Sequence, residues 1–503
     1  MFFLELPISF SGRQNAAKGR RETAGDEVLV IGLDFGSTTS RALIARSRIS
    51  RNQMTGCVAL DRPDIVYRAE PVLTPFKNGR LHELDVLALI DRWLDESGCS
   101  LSELFAGGVI ITGLAARLVN AHVIASTVQS RINNLIAATA NDPHLESWLG
   151  FMGNTRDLSV KHPEHSFLNL DIGGGTTNIA LGRNGNVNQT GCYLIGARHF
   201  QFQPGTYRLT HISEPGQQLA RVLGLKLKNG NEMTIRERDL ILDTYLEGLI
   251  SLATGAQQFF TTVPGKALLQ SSFSTKKAES TLPMPKLTEI TYSGGVGELI
   301  YRASTEQSLP GITYYGDLGI DLALRILEHP VLNRSLAGFV PVYLGQSIVY
   351  GLAMHSAEIS GNTVYLPDPA LLPLNDLPIV ARLDLNITAA EISEALALAR
   401  KSQAGGCIQI NTAEDRYPAL AELKRFGQLL AAQLEQQNFP ENLPLLLVVP
   451  QDYGKVMGNY ATRWGRLPVT LIAVDEVPEK PAQFVSLGAV RNYVIPVYFY
   501  GMH

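Results

Sequence analysis

Asp34 and Asp171 stand in the same short phrase, written twice in a chain of 503 residues. Val30-Ile31-Gly32-Leu33-Asp34-Phe35-Gly36-Ser37-Thr38-Thr39 returns as Leu168-Asn169-Leu170-Asp171-Ile172-Gly173-Gly174-Gly175-Thr176-Thr177. In each copy an apolar run reaches an Asp, passes a glycine turn and meets hydroxyls. A second apolar run follows, Arg41 to Ala45 or Asn178 to Leu181. A glycine turn lets backbone N–H groups approach phosphate oxygens, because no Cβ stands in the way. The hydroxyls of Ser37, Thr38, Thr39, Thr176 and Thr177 add donors. A carboxylate at the strand end suits a hydrated magnesium ion, a hard cation that keeps several of its waters. Two such turns facing each other would grip the phosphates of a nucleotide from both sides. The repeat itself predicts a duplicated domain with a cleft between its halves.

A third phrase extends this reading. Glu289-Ile290-Thr291-Tyr292-Ser293-Gly294-Gly295-Val296-Gly297-Glu298 reads as a strand entering a tight turn, with a helix from about Glu298. At Gly294, Gly295 and Gly297 the backbone could lie flat against an adenine or ribose, where side chains would collide. The order of the three turns resembles the actin, sugar-kinase and heat-shock-chaperone superfamily of ATPases.

Turns of this kind need layers to hold them, and the chain alternates strand and helix patterns throughout, which predicts an α/β fold. Segment 28–46 reads as a hairpin and 83–97 as an amphipathic helix. Gly108 to Gly113 reads as a buried strand, the second phosphate strand opens at about Phe167, and a long helix covers about 234–257. Residues 264–287, with Pro264, Pro283, Pro285 and a Ser/Thr/Lys run, read as a surface loop. Past about 361 the texture changes: Thr388-Ala389-Ala390-Glu391 is a capping-box helix start, a second helix covers about 418–437, and Leu445 to Val449 and Pro468 to Val474 suit parallel strands. The expected division is a disordered leader at 1–27, a first half at 28–165, a second half at 166–360 and an α/β C-terminal domain at 361–503.

The totals exclude several classes. A net charge of −4 gives no bulk attraction for nucleic acid or anionic lipid. No apolar run approaches the roughly 20 residues a transmembrane helix needs. Four well-separated cysteines with no CxxC predict free thiols in a reducing compartment. His162-Pro163-Glu164-His165 reads as a loop without a third metal ligand, and His144-Leu145-Glu146 as a surface helix start. There is no Gly-x-Ser-x-Gly elbow.

Further stretches narrow the resemblance. Ile110-Ile111-Thr112-Gly113 with Asn120-Ala121, Pro143-His144-Leu145-Glu146-Ser147, Gln451-Asp452-Tyr453-Gly454-Lys455 and Ala473-Val474-Asp475-Glu476-Val477 join the three turns. Together they resemble the ethanolamine ammonia-lyase reactivase family, over nearly everything from Val28 on. The resemblance implies a duplicated actin-like (ribonuclease-H-like) ATPase core with an additional α/β C-terminal domain. It implies a cytoplasmic chaperone that uses ATP and magnesium to release damaged cobalamin from ethanolamine ammonia-lyase, so that adenosylcobalamin can rebind. A homo-oligomer and a bacterial microcompartment stay open. By motif, Asp34 and Asp171 would hold magnesium through water. Gly36, Ser37, Thr38, Thr39 and Gly173, Gly174, Gly175, Thr176 and Thr177 would cradle phosphates, and Gly294, Gly295 and Gly297 would face the adenosine.

The chain departs from the family at several places. Leu114 stands where a Glu is usual, Val119 where a basic residue is expected, and Leu344-Gly345-Gln346-Ser347 where a Gly-Ala-Gly is usual. Asn178 stands where heat-shock chaperones have an Asp, Tyr292 where an aliphatic residue is expected, and the stretch from Val485 to His503 diverges. Nucleotide binding is expected and turnover left open. Two other readings remain: a small-molecule kinase on the same fold, and a non-enzymatic actin-like scaffold that binds ATP as a structural ligand.

Overall fold

Both repeated phrases fold into the same hairpin. In the computed structural model Glu27–Phe35 runs antiparallel to Thr39–Arg51, and Ser166–Ile172 runs antiparallel to Thr177–Arg183. Each first strand also pairs in parallel with a later one, Leu104–Ile111 in one sheet and Thr288–Ser293 in the other. Across the first sheet the main order is Val58–Leu60, Thr39–Arg51, Glu27–Phe35, Leu104–Ile111, Ile136–Thr139; across the second it is Leu269–Thr275, Asn186–Tyr193, Thr177–Arg183, Ser166–Ile172, Thr288–Ser293. The core is thus a duplicated α/β unit. The central strands are apolar and buried almost end to end, as strands covered on both faces must be.

The structure describes residues 27–500 apart from 37–38, 52–57, 62, 78–79, 113–119, 133–135, 140–142, 276–287, 306, 343–346, 356, 362, 403, 413–416 and 481. The leader at 1–26, Ser37, Thr38, Leu114, Val119 and the 344–346 part of the altered joint lie outside the described residues.

Two helices lock the halves together by crossing over. Pro143–Asn154, written before the second sheet begins, packs under that sheet, with Phe151 against Phe167 and Ala180. Ser347–His355, written after the second half, packs under the first sheet, with Val349, Tyr350 and Ala353 against Val28, Val30, Leu43 and Phe105. The two helices meet backbone to backbone. A Cβ on Gly153 would stand 1.7 Å from the Ser347 carbonyl oxygen, and one on Gly351 would stand 2.6 Å from that of Leu149. Gly32 admits Ser347–His355 to the first sheet in the same way, since its Cβ would lie 1.9 Å from the Val349 oxygen.

The C-terminal layer is one mixed sheet. Leu374–Asp384, Gly406–Asn411, Leu445–Val448 and Leu471–Val474 are parallel neighbours, and Phe484–Leu487, Ile495–Tyr500 and Ala357–Ser360 continue it antiparallel. Helices Ala389–Ala399, Leu420–Gln436 and Gly454–Ala461 join the parallel strands. The Thr388 capping box is present, with Glu391 closing it. The layer packs on the first half, where the Tyr498 hydroxyl accepts from the Gly107 N–H at 3.3 Å.

Two sequence expectations need correction. Part of the expected surface loop at 264–287 is ordered: Val263–Ala267 is a short helix and Leu269–Thr275 an edge strand against Asn186–Tyr193, while 276–287 lie outside the described residues. Its Ser/Thr run resembles a loop but suits an edge strand, which needs no apolar alternation on its open side. The helix that follows strand Thr288–Ser293 starts at Gly294, not near Glu298. Tyr292, the departure from an aliphatic, is fully buried and donates its hydroxyl to the Leu332 carbonyl at 2.7 Å. Among the described residues Cys99, Cys192 and Cys407 form no disulfide, and no helix is long and apolar enough to cross a membrane.

Candidate functional site

The two hairpin turns close alike. The Gly36 N–H donates to the Thr39 carbonyl at 3.1 Å, and the Gly173 N–H to the Thr176 carbonyl at 2.9 Å. Each bond curls the chain back directly after the strand that carries the aspartate. Both turns, together with the Gly294 turn, border one cavity of about 390 Å³ between the halves, a size usual for a small-molecule site. Asp34, Gly36, Thr39, Asp171, Gly173, Gly174, Gly175, Thr176, Gly294 and Gly295 line it.

Two of the residues expected there are not brought to it. Thr177 is fully buried and spends its hydroxyl on the Ile195 carbonyl at 2.7 Å. Gly297 serves helix-to-strand packing, because a Cβ there would meet the Tyr292 carbonyl carbon at 3.0 Å. Gly294 is required twice over. Its φ of +77° favours glycine, and a Cβ would clash with the Ile172 oxygen at 2.6 Å and the Asp171 carboxylate at 2.9 Å. Nothing lies within 4 Å of where a Cβ on Gly295 would be, so the backbone there has open space for a flat ligand.

Asp171 is held by a buried polar chain. It accepts from the hydroxyl of Ser293, on the neighbouring parallel strand, and from Ser347 at 3.2 Å. Ser293 in turn accepts from the Asn169 amide at 2.9 Å, and Asn169 accepts from Asn154 at 2.9 Å. The end of one crossing helix and the start of the other therefore both fix this carboxylate. Asp34 accepts from Thr112 at 2.9 Å.

Burial raises both carboxyl groups. Asp34 is pushed up to about 7, mainly by loss of water. The Thr112 bond and the Arg41 charge pull it down, and the Asp171 charge pushes it up. Asp171 is raised by burial against the lowering effect of Ser293, Ser347 and Arg41. Two buried carboxylates that resist ionisation in one cavity fit a divalent cation, which would favour their charged forms. Among the described residues no three His, Cys, Asp or Glu side chains form a direct metal cage.

The same burial predicts a stability effect. Between an unfolded pKa near 4 and the folded value of about 7, the folded protein retains a proton that the unfolded chain has lost. Stability therefore falls as pH rises through this window. Asp34→Asn should stabilise the fold at pH 8 without divalent ions by on the order of 4 kcal/mol, seen as a higher melting temperature. The gain should vanish near pH 4. A difference independent of pH in melting curves would refute the assignment.

Other lining residues were not singled out as site residues from sequence. Arg41 and Glu298 adjoin the motifs and were within reach of that reading; their side chains lie 3.6 Å apart across the cleft. Glu146, expected on a surface helix start, is 7% exposed and lines the cavity. The helix does begin there, but its crossing carries that turn inward. Arg302 lies one turn beyond Glu298 on the same helix, and Glu70, Thr112, Tyr315, Asp317 and Ser347 arrive from distant segments. Asp317 is buried and accepts from the Gly319 N–H at 2.9 Å, and burial raises its pKa. The His162 to His165 turn lies elsewhere, with His165 Nδ1 3.2 Å from Glu289.

Comparison with known proteins covers most of the chain. The chain is 28% identical over 491 residues to the ethanolamine ammonia-lyase reactivase EutA of Salmonella typhimurium, covering 94% of this chain and 97% of that one. The Escherichia coli protein of the same name is 28% identical over 495 residues, with the same coverage. Among solved structures, the ethanolamine utilization protein EutJ of Carboxydothermus hydrogenoformans is 12% identical, with a TM-score of 0.27 over 65% of this chain and 89% of that one. MreB 5 of Spiroplasma citri bound to AMPPNP is 14% identical, with a TM-score of 0.28 over 63% and 100%. A family model described as ethanolamine utilisation protein EutA matches residues 26–500. The chain belongs to the EutA family.

Proposed function

We propose that this protein is an ATP-dependent reactivating chaperone for ethanolamine ammonia-lyase, freeing damaged cobalamin so that intact adenosylcobalamin can enter. The observation that carries this reading is the pair of congruent glycine turns, each behind an aspartate, opening on one cavity in a member of the EutA family. The relatives' name, reactivase, supplies the partner.

In this reading the turns at Gly36 and at Gly173 to Thr176 cradle the phosphates, and Gly294 and Gly295 lie against the adenosine. Ser37 and Thr38 belong to the first turn by motif. Asp34 and Asp171 would hold magnesium through water; a bound magnesium would neutralise phosphate charge. Asp171, fixed by Ser293 and Ser347, presents an acceptor that can orient water. Because each half contributes one turn, a bound nucleotide favours one setting of the halves over another. A change in lyase affinity between those settings is all that reactivation requires. The C-terminal layer, packed on the first half, is proposed to carry contacts beyond the nucleotide.

The test is reactivation. Ethanolamine ammonia-lyase blocked with cyanocobalamin is mixed with this protein, ATP, magnesium and adenosylcobalamin, and ammonia release is followed. Recovery that needs both ATP and magnesium supports the proposal. No recovery, from a lyase that is competent in fresh cofactor, sinks it.

A further inference from the structure

The two hairpins repeat each other, but at the position that faces the aspartate they differ in charge. In each hairpin the strand register sets the aspartate opposite a fixed partner: Asp34 faces Arg41, and Asp171 faces Asn178. Asn178 is closed in, 1% exposed, with its amide towards the Thr176 hydroxyl at 3.4 Å. Arg41 instead lines the cavity. Its guanidinium stands 3.6 Å from Glu298, which is carried by the Gly294–Ser304 helix of the other half.

The charge around Arg41 gives this difference a use. The carboxylates of Asp34, Glu70, Glu146, Asp171, Glu298 and Asp317 line the cavity, and among the described residues the lining cations are Arg41 and Arg302. A polyphosphate entering so acidic a cleft gains from a fixed cation beside the phosphate turns in addition to magnesium. Arg302 is 42% exposed and 4.0 Å from Glu298, whereas Arg41 is 12% exposed and springs from the strand that follows the Gly36 turn. At 3.6 Å the pair with Glu298 is longer than a charge-assisted hydrogen bond of about 2.8 Å. A guanidinium carries five donors in a fork matched to phosphate, so Arg41 has donors beyond any it directs at Glu298.

We infer that Arg41 binds the distal phosphates of the nucleotide, and that Glu298 is the counter-charge it gives up in doing so. Phosphate number is then read by a residue of one half at the expense of its tie to the other. The inference rests on the nucleotide reading proposed above.

The experiment is calorimetric titration of the full chain with ATP and with AMP, both in magnesium, for the wild type, Arg41→Gln and Glu298→Gln. In Arg41→Gln the ratio of ATP to AMP affinity should fall on the order of 10- to 100-fold, the loss of one charge-assisted contact. AMP affinity should hold within about threefold, which also reports an intact site. In Glu298→Gln the ratio should rise several-fold, because Arg41 no longer has a competitor. An Arg41→Gln protein that keeps the wild-type ratio, or loses both ligands equally while still folded, overturns the inference and leaves nucleotide binding standing. A wild type that binds neither ligand ends both. Should Arg41→Gln fail to fold, an unchanged ratio in Glu298→Gln refutes the exchange by itself.

Discussion

Asp171→Ala should abolish ATP- and magnesium-dependent reactivation of the blocked lyase, by about 100-fold or more, while the protein stays folded. The magnitude follows from position. Asp171 lies 3% exposed where both crossing helices and the Gly294 turn converge. Preorganised charge in such a site is typically worth 10²–10³ in rate. Stability should change far less. The variant loses the acceptor of the Ser293 and Ser347 hydroxyls, at about 1 kcal/mol each. It also sheds a buried carboxyl that resists ionisation, so the net change should stay within about 2 kcal/mol. Asp171→Asn separates charge from shape: it retains an acceptor for the serines and should be as inactive as the alanine variant. Ammonia release and a melting curve on the same samples decide. Activity near wild type in Asp171→Asn would remove Asp171 from the proposed chemistry.

Gly153→Ala is the second large effect, on stability. Alanine is the better helix former by about 1 kcal/mol, so a helix considered alone would gain. Here the added methyl would sit 1.7 Å from the Ser347 oxygen and 2.8 Å from the Gly351 nitrogen, both backbone atoms that no rotamer change can move. The helices would have to part, opening the seam between Leu149, Ile348 and Leu352. A net loss of about 3 kcal/mol or more is expected, seen in urea unfolding or as lost soluble protein. Gly311→Ala is the matching control. Nothing lies within 4 Å of that position, and the change should stay within about 0.5 kcal/mol.

What could be read from sequence was local. The hairpins, their two glycine turns and the Thr388 capping box depend on neighbours within a few residues, and each formed where expected. The roles of Thr177 and Gly297 were misjudged for a related reason. A motif supplies the residue type but not which way the strand pleat points Thr177 or which face of its helix Gly297 occupies, and both positions face packing partners. Glu146, Asp317 and the pairing of Arg41 with Glu298 were illegible because they depend on segments brought together by the crossing helices. The strand at Leu269–Thr275 was missed because edge strands carry little apolar pattern.

The exchange of helices also governs how the gene product can be divided. A cut through the chain between the sheets would leave the first fragment without Val349, Tyr350 and Ala353, exposing Val28, Val30 and Phe105 to water. It would leave the second without Phe151 over Phe167 and Ala180 if the cut fell after that helix. Neither piece would carry a complete core, so expression of half the gene should yield insoluble protein. Co-expressed halves should recover solubility only as a pair. The two repeats are therefore bound to a common fate: an ancestral doubling cannot be undone by losing one copy, however far that copy's own turn has drifted in sequence.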